Sequence, residues 1–169
     1  MKNSQLHLHD KVYMDKLLAN ESNNRIAQLL RFIDLKKDMV VADFACGNGV
    51  LLEFLEQKIG EYYGVDFSQH AIKNAEFRRN KHRATKAYYF CEPIQSFCEK
   101  NNEKFDVGMA LDFSEHVNDE EWLQVLKSIK SSLKIGGKLY MHTPNGSFFL
   151  EIMKSRNFIF RQFPEHIAV

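Results

Sequence analysis

Asp43-Phe-Ala-Cys46-Gly47-Asn-Gly49 follows the apolar pair Val40-Val41, and Asp66 closes the next apolar run. A strand, a glycine loop, a helix and a second strand ending in a carboxylate is the pattern of a nucleoside pocket. Gly47 and Gly49 let backbone N–H groups approach a ligand closely at a helix N-terminus. An acid at the tip of the following strand can accept both hydroxyls of a ribose, so the ligand is expected to carry one.

The rest of the chain extends this unit. Apolar residues between Lys11 and Phe32 recur near helical spacing, broken by the polar stretch Asn20 to Asn24, which predicts two helices ahead of the sheet. Strands are expected at Met39–Phe44, Tyr62–Asp66, Ala87–Cys91, Phe105–Leu111 and Lys138–His142. Helices are expected over Val50–Ile59, closed by Gly60, from Ser68 as N-cap to Arg79, over Ile94–Lys100, and over Asn118–Leu133. The last is the clearest: Asn118 and Glu121 form a capping-box pattern, and Trp122, Val125, Leu126, Ile129 and Leu133 share one face. Strands alternating with helices predict an α/β, Rossmann-like doubly wound sheet, mostly parallel, with helices on both faces and right-handed crossings.

At 169 residues with no repeat or linker, one domain suffices. The formal net charge of +1 gives no overall pull toward nucleic acid, and the basic run Arg78, Arg79, Lys81, His82, Arg83 and Lys86 reads as a solvated helix end, so nucleic acid is not expected as a partner. No apolar segment approaches the roughly 20 residues of a membrane span, and no apolar signal core follows Met1. Cys46, Cys91 and Cys98 are odd in number and lack metal-type spacing, so a reduced, cytoplasmic protein is expected. Cys46, with no adjacent base, reads as a small buried residue of the loop.

The residues separate two cofactor classes. A dinucleotide fingerprint needs a third small residue where this chain has Leu52, which argues against a nicotinamide-dependent oxidoreductase. Asp43, Gly47, Gly49 and Asp66 instead supply the set that S-adenosylmethionine requires. Here the chain resembles the class I S-adenosylmethionine-dependent methyltransferases, in the branch of the quinone-biosynthesis O-methyltransferases. The resemblance covers about Val40 to Asn145. Val40-Val-Ala-Asp43-Phe-Ala-Cys-Gly47-Asn-Gly49 is similar to the first motif and Tyr63-Gly-Val-Asp66-Phe-Ser68 to the second. Phe105 to Val117 resembles the fourth-strand motif, and Leu133-Lys-Ile-Gly136-Gly137 with His142-Thr-Pro144-Asn145 the fifth-strand region.

That resemblance implies a site. Asp43, Ala45, Gly47 and Gly49 would lie along the methionine portion, Asp66 would hold the ribose hydroxyls, and Phe67 would cover one adenine face. Glu92 would contact the adenine amino group, with Pro93, Ile94 and Leu111 completing the cofactor-binding set. Pro93 departs from the family pattern: it has no N–H to donate, which leaves Ile94 or another group to do so.

Methyl transfer from a sulfonium needs alignment, and removal of a proton if the nucleophile carries one. His116, just past the fourth strand, is the candidate general base, with Glu115 to orient it. The alternative is that the pair starts a loop or contacts the cofactor. By resemblance to relatives with Glu-x-x-Glu-His, Asp112, Glu115, His116 and His166 form an alternative divalent-metal set; a metal is left open and is not part of the expected cofactor, which is S-adenosylmethionine, leaving S-adenosylhomocysteine.

The expected function is methyl transfer to a small-molecule acceptor at oxygen. The alternatives are N- or C-methylation, or a non-catalytic cofactor-binding module used for protein contacts. Residues 1–34 are expected to form a helical lid, 39–145 the cofactor core, and 146–169 an incomplete C-terminal region lacking the family's antiparallel hairpin. The last expectation suggests a fragment of a longer protein, or a sheet edge covered by the tail or by a second copy.

Overall fold

The computed structural model describes residues 23–114 and 117–143. Five strands, β1 (Val40–Phe44), β2 (Glu61–Asp66), β3 (Ala87–Cys91), β4 (Phe105–Leu111) and β5 (Leu133–His142), form one sheet there in the order β3-β2-β1-β4-β5. Every neighbouring pair is parallel. The chain steps outward from β1 to β3 and then returns to the other side of β1 as β4. That reversal opens a crevice at the carboxyl ends of β1 and β4, where open α/β sheets bind ligands.

The strands are apolar because both faces are covered. On one face α1 (Asn23–Leu29), a 3-10 turn (Leu30–Phe32), α2 (Leu52–Leu55) and α3 (Gln69–His82) meet the sheet. Leu30, Leu52, Leu55 and Ile59 pack there on Val41, Tyr62, Val107 and Met109. On the other face lie α4 (Ile94–Glu99) and α5 (Asp119–Ser132), whose Phe97, Val125 and Ile129 cluster with Ala42, Phe44, Val65 and Phe105. Phe97 is the aromatic hub of that side, 5.7 Å from Phe105 in a stacked arrangement and 6.3 Å from Phe44 edge-on.

Two expectations change. The helix expected over Val50–Ile59 is helical only from Leu52 to Leu55. Its flanks are tight turns, Leu52 N–H to Gly49 C=O, Glu53 to Val50 and Phe54 to Leu51, because ten residues must both leave the glycine loop and bring Gly60 back to the Met39 carbonyl. The glycine turn expected ahead of the fifth strand lies inside that strand. Leu133 already pairs with Phe105, Lys138 pairs with Val107, and the residues between form a bulge at Gly136, whose φ is +81°. Asp106 holds the bulge: it accepts from Lys134 Nζ at 2.8 Å and from the Val40 N–H at 2.8 Å. Burial pushes Asp106 up, but those bonds outweigh it and hold its carboxyl below the usual range.

Candidate functional site

The carboxyl edge of the sheet gathers most of the residues singled out above. At β1 the chain leaves the strand through Ala45 at φ +58°, Gly47 at +52° and Gly49 at +74°, three left-handed residues within five positions. The Cys46 N–H continues the ladder to Val65 C=O at 3.0 Å, and the Gly49 N–H closes a turn onto Cys46 C=O at 2.9 Å. The loop is therefore pinned to β2 while its backbone turns across the strand ends.

Gly49 has a role that its sequence context does not announce. A Cβ there would come within 2.8 Å of the Ala75 Cβ and would run into the Tyr89 hydroxyl. Its missing side chain makes room for β3 and α3 beneath the loop. Gly64 does the same in β2, where a Cβ would lie 2.6 Å from the Tyr89 ring.

Asp66 ends β2 and is 2% exposed. Its Oδ2 accepts from the Gly47 N–H at 3.0 Å and its Oδ1 from the Ser68 N–H at 2.8 Å. Ser68 in turn caps α3, its Oγ accepting from the Ala71 N–H. The acid assigned to a ribose thus ties the glycine loop to the start of α3. Phe67, next in sequence, is 47% exposed and offers a flat ring at the same edge.

Beyond β3, the Glu92 N–H donates to the Asp66 carbonyl at 3.1 Å, which places Glu92 beside Phe67. Its carboxylate is paired with Lys100 Nζ at 2.5 Å. Pro93 is the N-cap of α4, and Ile94 turns its side chain into the core. Leu111 ends β4 opposite His142 of β5.

Asp43 lies in β1 below the loop, 4% exposed, and its Oδ2 accepts from the Tyr62 hydroxyl at 2.5 Å. Burial pushes its carboxyl up to about 7; the Tyr62 bond pulls the other way, and the nearby Asp66 charge adds to the rise. Sequence reasoning missed Tyr62. Strand parity carried the signal: Tyr62 pairs with Val41, which shares a face with Asp43.

Asp112 was read as an alternative metal ligand. It sits at φ +54°, its N–H donates to His142 C=O at 2.8 Å, and its Oδ1 lies 2.5 Å from His142 Nδ1. His142 is thus a second partner that the sequence did not reveal. Among the described residues no group of three or more His, Cys, Asp or Glu gathers as a metal cluster. Glu115, His116, Pro144, Asn145 and His166 lie outside the described residues, as do the expected tail and most of the expected lid. No helix among the described residues is long and apolar enough to cross a membrane.

Comparison with known proteins agrees with this geometry. Residues 41–137 match a family model described as a methyltransferase domain. The chain is 30% identical over 105 residues, 62% of its length, to the ubiquinone biosynthesis O-methyltransferase of Idiomarina loihiensis, of which it covers 42%. It is 28% identical over 127 residues, 74% of its length, to the protein of the same name from Coxiella burnetii, covering 53%. The chain therefore spans about half the length of these curated relatives. In fold it is similar to a SAM-dependent methyltransferase from Archaeoglobus fulgidus, with a TM-score of 0.74 at 21% identity, over 95% of this chain and 68% of the other.

Proposed function

Because the chain belongs to the class I S-adenosylmethionine-dependent methyltransferase family, we propose that it transfers a methyl group from S-adenosylmethionine to a hydroxyl oxygen of a small molecule. The observation that carries the reading is the Ala45–Gly49 turn tied to Asp66 at the crevice between β1 and β4. The residues fit the group: positive-φ backbone along one side, a fixed acid at the second strand, a half-exposed aromatic ring next to it and a buried acid below.

In this reading Ala45, Gly47 and Gly49 run along the methionine portion, with Asp43 beneath them. Asp66 takes the ribose hydroxyls, Phe67 one adenine face, and Glu92, Pro93, Ile94 and Leu111 the rest of the adenosine. S-adenosylmethionine supplies a methyl group on a sulfonium, an electrophile that needs no further activation. The chain's own task is to hold the acceptor oxygen in line with it and remove a proton, for which His116, oriented by Glu115, is the proposed base. The names of the ubiquinone biosynthesis O-methyltransferases support oxygen as the acceptor atom.

Calorimetry with S-adenosylmethionine and S-adenosylhomocysteine, followed by transfer of labelled methyl to a panel of phenols and alcohols, tests the proposal. Binding of both ligands and a labelled methyl ether are expected. Binding without transfer to any acceptor would leave a cofactor-binding module, and NAD binding in place of either ligand would overturn the reading altogether.

A further inference from the structure

Beneath the glycine loop three side chains from three adjacent strands meet: Asp43 of β1, Tyr62 of β2 and Tyr89 of β3. The Tyr62 hydroxyl donates to Asp43 Oδ2 at 2.5 Å, and both residues are buried. The Tyr62 and Tyr89 rings meet edge-on with centroids 5.7 Å apart. The Tyr89 hydroxyl fills the space that a side chain at Gly49 would need. The loop thus rests on a column whose only carboxylate is oriented by a phenol.

We infer that Tyr62 is a positioning residue of the methyl-donor site: by holding Asp43 and favouring its carboxylate, it makes the site prefer a cationic sulfonium over the neutral thioether left after transfer. The inference rests on the methyl-donor reading above and gives it a mechanism for telling donor from product. S-adenosylmethionine carries one more positive charge than S-adenosylhomocysteine, and the two are otherwise alike in charge. A buried negative charge below the methionine portion acts through a low dielectric and therefore discriminates between them.

The charge on Asp43 is finely poised. Burial and the Asp66 carboxylate of β2 raise its pKa, and the Tyr62 bond opposes them. Tyr89 from β3 and Cys46 from the loop are the other titratable groups that feel it. From β4 the residue paired with Asp43 is the apolar Met109, and from α3 the Arg79 charge acts on Tyr89. Without the Tyr62 hydroxyl, Asp43 stays protonated to higher pH and the preference for the sulfonium weakens near neutrality.

The test is the ratio of affinities for the two ligands, measured by calorimetry on the full chain from about pH 6 to about pH 8.5 for wild type, Tyr62→Phe and Asp43→Asn. The sulfonium lowers the pKa of the donor's own amino group relative to the product's, so each ratio is read against that of Asp43→Asn, in which the ligands titrate alike and the Asp43 charge is gone. In wild type the ratio should rise with pH as Asp43 loses its proton. Tyr62→Phe should cut donor affinity about tenfold near pH 7.5, the scale of a lost hydrogen bond to a charged group, change product affinity less, and move the rise to higher pH. Asp43→Asn should give a low ratio that lacks the rise due to Asp43.

A Tyr62→Phe protein that keeps the wild-type ratio at every pH, or that weakens both ligands equally, overturns the inference. If circular dichroism shows that Tyr62→Phe does not fold, Asp43→Asn decides: a wild-type ratio profile there overturns it equally. A wild type that binds neither ligand defeats the methyl-donor reading itself, and the role of Tyr62 falls with it.

Discussion

Asp43 illustrates what one buried acid does to the molecule that holds it. Its folded-state pKa, about 7, lies above the roughly 3.9 of an unfolded aspartate, so between those values the folded chain binds the extra proton. Its contribution to stability is fully present below the unfolded value and is lost as pH rises through the folded one. Asp43→Asn removes that dependence while keeping an acceptor for Tyr62. The variant should gain melting temperature relative to wild type between about pH 5 and about pH 8, as read by thermal unfolding at both; an unchanged difference would mean that Asp43 is ionised throughout. That Asp43, Gly47, Gly49 and Asp66 would come together at the strand ends was legible in the sequence, because the strand–glycine loop–helix–strand spacing leaves few alternatives. Tyr62 was not, because a tyrosine within an apolar strand reads as core until pairing register shows which acid it faces. Gly49 was legible as a residue that needs no side chain, but the reason was only half seen: Tyr89 and Ala75 occupy the space, from elements far away in sequence.

The elements divide in the same way between local and distant causes. The start of α5 was fully legible, since its cap is made within four residues: the Glu121 N–H donates to Asn118 Oδ1 at 2.9 Å, and the Asn118 N–H to Glu121 Oε2 at 3.4 Å. Asn118→Ala should cost about 1 kcal/mol in urea unfolding, with little change in the slope of the transition. The end of the same helix was less legible. Ser132 is its last residue and Leu133 already belongs to β5, a boundary set by pairing with Phe105 and by the Asp106 bonds to Lys134 and Val40 rather than by any stop signal in the helix. The helix expected over Val50–Ile59 is shorter than its apolar spacing implies, and Phe54, expected to face inward with Leu51, Leu52, Leu55 and Ile59, is only partly buried against the core. Leu51, Leu52, Leu55 and Ile59 are all buried, but tight turns rather than a continuous helix deliver them there.

At the scale of the whole molecule, the parallel sheet and its flanking helices followed from alternation alone, whereas the strand order came from which edge each crossover chose. The outcome is a sheet with a separate apolar cluster on each face. Ile59 belongs to one and Ile129 to the other, and the sheet lies between them. Ile59→Val and Ile129→Val should each destabilise by about 0.5–1.5 kcal/mol. In the double variant the two costs should sum to within about 0.5 kcal/mol in denaturant titrations, and a larger departure would show that the sheet transmits strain from one face to the other. For the history of such a chain, this separation means that a replacement tolerated beside α4 and α5 sets no condition on what is tolerated beside α2 and α3. Each side can drift in sequence on its own schedule, and lineages can part far in composition while the strand ends between them keep the same placement.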